Sequence, residues 1–303
     1  MTRRSTLRAI PSASLTATLA LVGLLVSAPP ARAQVLLFGP TCPGPGVLLT
    51  QNVVLMGDLD GATSGGTCIL VGNGRNVDLN GHLIHCNNPL GCGTAIYATA
   101  AGSVVKSAGG SWPGGINGNW AVGIEGATEI TGIQITIGTS GQCIRDLGDR
   151  AKTIHGNIVT CGDQNPGVDV VMPRGTDIVS NNTFNYPFGA PALQIQGRAC
   201  ASCNGPRVEN NNFFTIFDVG IRQVGAGNRI RAYGNVLSNC PNENESYCNP
   251  VPFLVDNSDL ALDLSTWLGN VCSDPYYCPP SPSCVEDQTA VCVDGVPACQ
   301  PNP

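Results

Sequence analysis

Charge is scarce in this 303-residue chain, where Asp, Glu, Lys and Arg together make up only 12% of the residues. Lysine is nearly missing, with Lys106 and Lys152 the only two. A chain so poor in basic residues offers no positive stripe to hold a phosphate backbone, which argues against nucleic acid as a partner. Histidine is limited to His82, His85 and His155, too few for a His-built zinc site. Long amphipathic helical patterns are lacking as well. Past the first residues, apolar side chains come in short runs broken by Gly and Asn, too short for helices and too short to bury a sheet face alone.

One apolar run is longer, from Leu15 to Val26, and it follows a basic start at Arg3, Arg4 and Arg8. Ala31-Arg32-Ala33 then places small residues where a signal peptidase needs them, so residues 1–33 are expected to be a signal peptide. The run is shorter than the roughly 20 residues that span a bilayer, so no membrane span is expected in the mature chain. Four of the 15 basic residues (Arg3, Arg4, Arg8, Arg32) lie in this segment and no acid does. Its removal leaves 11 basic against 21 acidic side chains, a net charge of −10. The expected location is secreted or cell surface.

Fifteen Cys in an exported chain point to disulfides. Cys86 with Cys92, Cys240 with Cys248, and Cys143 with Cys161 would each close a short loop. The odd count leaves at least one thiol free or paired elsewhere. Cys200-Ala201-Ser202-Cys203 has redox spacing but lies in a Gly/Asn loop rather than at a helix start, and a redox role is not expected.

Internal similarity decides the fold. Leu79-Asn80-Gly81-His82, Ile130-Thr131-Gly132-Ile133, Ile154-His155-Gly156-Asn157, Val179-Ser180-Asn181-Asn182, Val208-Glu209-Asn210-Asn211 and Ala232-Tyr233-Gly234-Asn235 align, with Val105-Lys106-Ser107-Ala108 as a weaker copy. Their anchors, residues 81, 107, 132, 156, 181, 210 and 234, are spaced by 26, 25, 24, 25, 29 and 24 residues. Two residues before each anchor stands an apolar residue (Leu79, Val105, Ile130, Ile154, Val179, Val208, Ala232). Three after it stand Ile84, Gly110, Ile135, Val159, Phe184, Phe213 and Leu237. Immediately after the last four stand Asn157, Asn182, Asn211 and Asn235. Stacked as coils about 4.8 Å apart, such repeats pair edge to edge and bury a continuous apolar column. The asparagines are expected to form a ladder, holding bends by left-handed backbone geometry and amide hydrogen bonds. The Asn181-Asn182-Thr183 sequon falls in that ladder and is read as fold chemistry rather than a glycan site.

The segment Gly66-Thr67-Cys68-Ile69-Leu70 through Val77-Asp78-Leu79-Asn80-Gly81-His82-Leu83-Ile84, with the Gly/Asn repeats after it, resembles the right-handed parallel β-helix repeat family of the pectin-lyase-like superfamily. The resemblance covers roughly residues 50–240 and implies an all-β right-handed parallel β-helix. The expected organisation is a signal peptide over 1–33, the β-helix with its caps over 34–272, and a Cys/Pro-rich irregular tail over 273–303. Near the end, Phe253-Leu254-Val255 reads as a strand. Trp267 to Cys272 reads as a further coil with Asn270 in the ladder column, or Asp259 to Leu268 as a capping helix.

Enzymes on this fold act in a groove along one sheet, and the resemblance makes such a face worth locating. Alternation places Ile124, Ile144, Val168, Leu193 and Ile221 inward, leaving Glu125, Arg145, Asp169, Gln194 and Arg222 as an outward stripe suited to sugar hydroxyls. A β-eliminating lyase needs a neutraliser for the uronate carboxylate and a base for the C5 proton, and Arg145 or Arg222 with Asp169 supplies both types. The family's catalytic signatures are nevertheless missing. No Asn-Thr-Asp, paired Asp-Asp or Gly-His-Gly occurs, only Arg229-Ile230-Arg231 resembles the last polygalacturonase-like motif, and Asp274-Pro275 is followed by Tyr276 rather than His. Asp58 and Asp60 in Asp58-Leu59-Asp60-Gly61 are the residues best suited to a calcium ion; no cofactor is otherwise expected. His82 and His85 face opposite ways, and His155 has no evident Ser, Cys or Asp partner. The sequence is therefore read as an exported β-helix that serves as a structural or glycan-contacting scaffold, with extracellular or cell-wall polysaccharide as partner. The alternative is a polysaccharide lyase or epimerase that acts through the Arg/Asp stripe.

Overall fold

A computed structural model describes residues 34–43, 46–61, 65–72, 74–109, 113–138, 140–148, 152–162, 165–171, 174–185, 190–197, 204–214, 220–225 and 229–238, together with strands at 254–258, 266–268, 271–272, 288–293 and 296–301. Residues 1–33, Cys200 to Cys203, the Cys240 and Cys248 pair and Asn270 lie outside them.

Three sheets run the length of the chain, with ten, nine and nine strands. Sheet A begins with Gln34–Leu37, Asn52–Leu55 and Val77–Asp78, sheet B with Leu59–Asp60 and Leu83–Cys86, and sheet C with Leu48–Leu49 and Thr67–Val71. The chain visits A, B and C in turn, so neighbours within a sheet come from successive repeats, and every pairing in the three sheets is parallel. The fold is a parallel β-solenoid.

Each sheet sends one column of side chains inward. In sheet A the column runs Val53, Val77, Val105, Ile130, Ile154, Val179 and Val208, all 0–4% exposed. Sheet B contributes Leu59, Ile84, Ile116, Ile135, Val159, Phe184 and Phe213, and sheet C Ile69, Ile96, Ile124, Ile144, Val168, Leu193 and Ile221, none above 3%. Stacking like on like lets branched aliphatics pack in one rotamer family from coil to coil. The two rings share a slot, with Phe184 and Phe213 stacked at 4.9 Å between centroids.

The repeat register holds from Ile130 onward and slips in the weaker copy. Val105 pairs with Val77, not with Leu79, and the residue below Ile84 in its column is Ile116 rather than Gly110. More residues separate Val77 from Ile84, and Val105 from Ile116, than Ile130 from Ile135, and equal-length alignment spreads the excess over the wrong positions. Leu79 is still buried, at 0% exposure.

The bend from sheet A to sheet B divides its work between two residues. The anchors Gly132, Gly156, Asn181, Asn210 and Gly234 all have positive φ, between 54° and 66°. Only Gly, or Asn at modest cost, takes that geometry readily, which is why no other residue type fills this column there. The ladder asparagines come one residue later and are buried instead, at 0–1% exposure. The sequence reading had placed left-handed geometry on the rungs; the residue before each rung carries it. Asn181, the first residue of the sequon, is thus exposed on the bend, and only Asn182 is a rung.

Three disulfides pin the described coils: Cys42 to Cys68, Cys86 to Cys92, and Cys143 to Cys161. The last two match the expected short loops. The first joins successive coils 26 residues apart, a pairing that only the stacking makes visible. At the far end Leu254–Ser258 pairs with Ile221–Gly225, and Thr266–Leu268 and Val271–Cys272 extend sheets A and B. The further-coil reading therefore holds at 266–268, where the capping helix was the alternative. In the tail, Gln288–Val293 and Val296–Pro301 pair as an antiparallel hairpin, and the intervening Asp294-Gly295 is a dipeptide that favours such a connection.

Candidate functional site

Alternation along a strand fixes which side chains leave the solenoid, and coil-to-coil register fixes which of them meet. On the outer face of sheet C, Tyr97 pairs with Glu125, Glu125 with Arg145, Arg145 with Asp169, Asp169 with Gln194, and Gln194 with Arg222. The five stripe residues stand in one unbroken column, and their inward neighbours, Ile124 to Ile221, are buried.

The column is not an open row of solvated charges. Glu125 is only 9% exposed and Asp169 only 7%. Glu125 accepts two bonds from one guanidinium, at 2.8 Å from Arg145 Nη2 and 3.1 Å from Nε, and Thr94 Oγ1 lies at 3.4 Å on its other oxygen. Both nitrogens converge on the one oxygen Oε1, and this ion pair orients Arg145, whose side chain remains 44% exposed. Asp169 accepts from the amide of Gln196 at 2.7 Å and from that of Gln194 at 3.5 Å.

Burial pushes the Asp169 carboxyl above its ordinary value. The Gln196 and Gln194 amides oppose the push, and the carboxylate of Asp146 adds to it. Asp146 sits just past the end of its strand, paired at 2.8 Å with Lys152, both side chains 4–5% exposed. Its oxygens also take the backbone N–H groups of Val171 at 2.8 Å and Gly148 at 3.1 Å, and the Lys152 ammonium donates to the Val171 carbonyl at 3.1 Å. Burial nonetheless leaves the Asp146 carboxyl raised, with Lys152 as the main opposing influence. The site is thus a cluster of three carboxylates, two cations and flanking amides spread over successive coils.

Sequence reasoning located the column and missed what surrounds it. Asp146 and Lys152 lie six residues apart in the sequence, and nothing in their spacing marks them as partners. The one available signal was rarity, since Lys152 is one of two lysines. Gln196 is two residues beyond Gln194 on the same strand, hence on the same face.

The remaining candidates are occupied differently. Asp58 accepts the Leu83 N–H at 2.9 Å and lies 3.3 Å from His82 Nδ1, so it closes a coil. Asp60 accepts from the Asn87 amide at 3.0 Å. Among the described residues no three His, Cys, Asp or Glu side chains gather around a point. His155 does find a partner, since its Nδ1 lies 3.0 Å from Ser180 Oγ and 3.3 Å from the Asn181 amide nitrogen. Ser180 is the residue aligned with His155 in the next repeat, 25 residues away, and it faces His155 across neighbouring strands of sheet A. Ser180 is buried at 5% exposure, so the contact braces the bend.

The ladder is as expected. Each rung's amide nitrogen bonds the next rung's oxygen: Asn157 to Asn182 at 3.0 Å, Asn182 to Asn211 at 3.0 Å, and Asn211 to Asn235 at 2.9 Å. Each also donates to a main-chain carbonyl, of Ile130, Ile154, Val179 and Val208 in turn. The described residues contain no helix long and apolar enough to cross a membrane. No protein-family model, curated protein or solved structure matches the chain.

Proposed function

We propose that this protein is an exported β-solenoid scaffold that contacts extracellular or cell-wall polysaccharide through the outer face of sheet C, without catalysing a reaction on it. The observation that carries the proposal is the saturation of the stripe by its own members. Glu125 is held by Arg145, and Asp169 by Gln196 and Gln194, so neither carboxylate stands ready as a base. What the column presents outward is a row of donors, Arg145, Gln194 and Arg222, on three of four successive coils. Sugar hydroxyls along a chain suit such a row. Disulfides between coils suit an oxidising compartment, and the basic and apolar character of residues 1–33 supports a signal peptide. A right-handed coil and membership of the pectin-lyase-like superfamily belong to the same proposal and rest on the repeat pattern.

The test is a panel of neutral and acidic polysaccharides assayed in parallel for retardation of the protein and for products. Binding that Arg145→Ala weakens about tenfold or more, the size expected on losing one charge-assisted hydrogen bond, together with no new reducing ends or unsaturated uronates, is the expected outcome. Products formed by the wild-type protein would overturn it.

One observation favours a second reading, a polysaccharide lyase or epimerase. Arg145 and Asp169 are direct neighbours across two coils, and burial raises the Asp169 carboxyl toward the range where a base works well near neutrality. On that reading Arg145 neutralises a uronate carboxylate and Asp169 takes the C5 proton.

A further inference from the structure

Among the described residues, the core is open at the N-terminal end of the solenoid. One coil in, Val53 and Leu55 are 0–1% exposed, yet the inward residues of the first coil, Val35, Leu37, Cys42 and Leu49, are only partly buried. Around them stand Leu36, Phe38, Val47, Leu48 and Met56, between 43% and 69% exposed. Gln34–Leu37 is the first strand of sheet A and Leu48–Leu49 the first of sheet C, so each has one edge without a partner among the described residues. The end does not fray, because Cys42 is bonded to Cys68 in the next coil and Thr41 bridges to Asp60.

Open edges are normally blunted by charge. Here no charged residue occurs from Gln34 to Gly57. The nearest acids, Asp58 and Asp60, flank the sheet B side and are engaged by Leu83, His82 and Asn87. Elsewhere the chain is acidic, and two copies of a body with net charge −10 repel across most of their surfaces. We infer that this end docks against the same end of a second copy, head to head about a two-fold axis, with the two Gln34–Leu37 edges pairing antiparallel. A strand edge is self-complementary in that arrangement. It covers both open cores along a stretch, Gln34 to Gly57, that brings no like charges together, and it closes after two copies instead of growing into a fibre.

The test uses the exported protein with its disulfides intact, its N-terminus read by mass spectrometry and its molar mass by sedimentation equilibrium over a range of concentrations. The expected result is a chain that begins at Gln34 and forms a reversible dimer. Leu36→Lys, at an exposed position, places like charges opposite each other across the axis and should give a folded monomer, while Leu90→Lys should remain dimeric. Leu90 is 87% exposed and lies in the bend after Cys86, so it controls for added charge. A wild-type monomer at every concentration, a dimer that survives Leu36→Lys, or a mature chain that retains residues 1–33 would each overturn the inference.

Discussion

The asparagine ladder makes the sharpest quantitative claim, at its inner rung Asn182. The Asn182 amide nitrogen donates to the Ile154 carbonyl at 2.9 Å and to Asn211 Oδ1 at 3.0 Å, and its oxygen accepts the Asn157 main-chain N–H and the Asn157 amide, both at 3.0 Å. Truncation to Ala removes all four bonds, but their loss is not felt equally. The Asn157 amide keeps Ile130, and Asn211 Oδ1 keeps the Asn182 N–H at 3.0 Å. The buried Asn157 N–H is orphaned, while the Ile154 carbonyl loses one partner and keeps its place in the sheet A ladder. At about 1–3 kcal/mol for the orphan and about 0.5–1.5 kcal/mol for the lost bond, Asn182→Ala should cost roughly 1.5–4.5 kcal/mol. Asn182→Asp should cost more although it is isosteric. It puts an acceptor oxygen against the Ile154 carbonyl and Asn211 Oδ1 and buries a charge at 1% exposure. Urea unfolding followed by circular dichroism, disulfides intact, gives both values, and hydrogen exchange should show deprotection centred on Asn157. An Ala variant within about 0.5 kcal/mol of wild type, the range of an ordinary surface change, or an Asp variant more stable than the Ala variant, would refute the reasoning.

Other expectations follow from the packing and the site. Phe184→Ala removes one ring of the stacked pair and should cost roughly 3–5 kcal/mol; hydrogen exchange should rise around residues 179–237 and not in the disulfide-pinned N-terminal coils, because solenoid stability is summed over neighbours. Asp146 and Asp169 have carboxyls raised on folding, so the unfolded chain loses these protons first as pH rises above about 3.9. Their contribution to stability should therefore fall from mildly acid pH toward the raised folded value, and Asp169→Asn should flatten that part of a urea-midpoint profile relative to wild type. Peptide mapping without reduction should recover Cys42–Cys68, Cys86–Cys92 and Cys143–Cys161 as linked pairs.

Much of the fold was legible because a solenoid writes its tertiary contacts into a one-dimensional period. Ile130, Ile154, Val179 and Val208 meet in space for the same reason that they align in sequence: each coil rests on the last, so equal spacing is contact. The same rule placed Glu125, Arg145, Asp169, Gln194 and Arg222 in one column and Asn157 to Asn235 in one ladder before any coordinates. Where coil length varies the rule fails: the longer stretch from Val77 to Ile84 sets Val105 against Val77 instead of Leu79, and the added chain before Gly115 sets Ile116 against Ile84 instead of Gly110. Contacts made in the bends do not repeat, so no period announces them. Asp146 with Lys152 and Cys42 with Cys68 depend on how far each connection folds back and which coil it reaches. Burial is likewise a property of the stack. Alternation says that Asp169 points outward, but only the packed stack determines that this carboxyl is shielded from water and its proton held more tightly, with the amides of Gln194 and Gln196 opposing that shift.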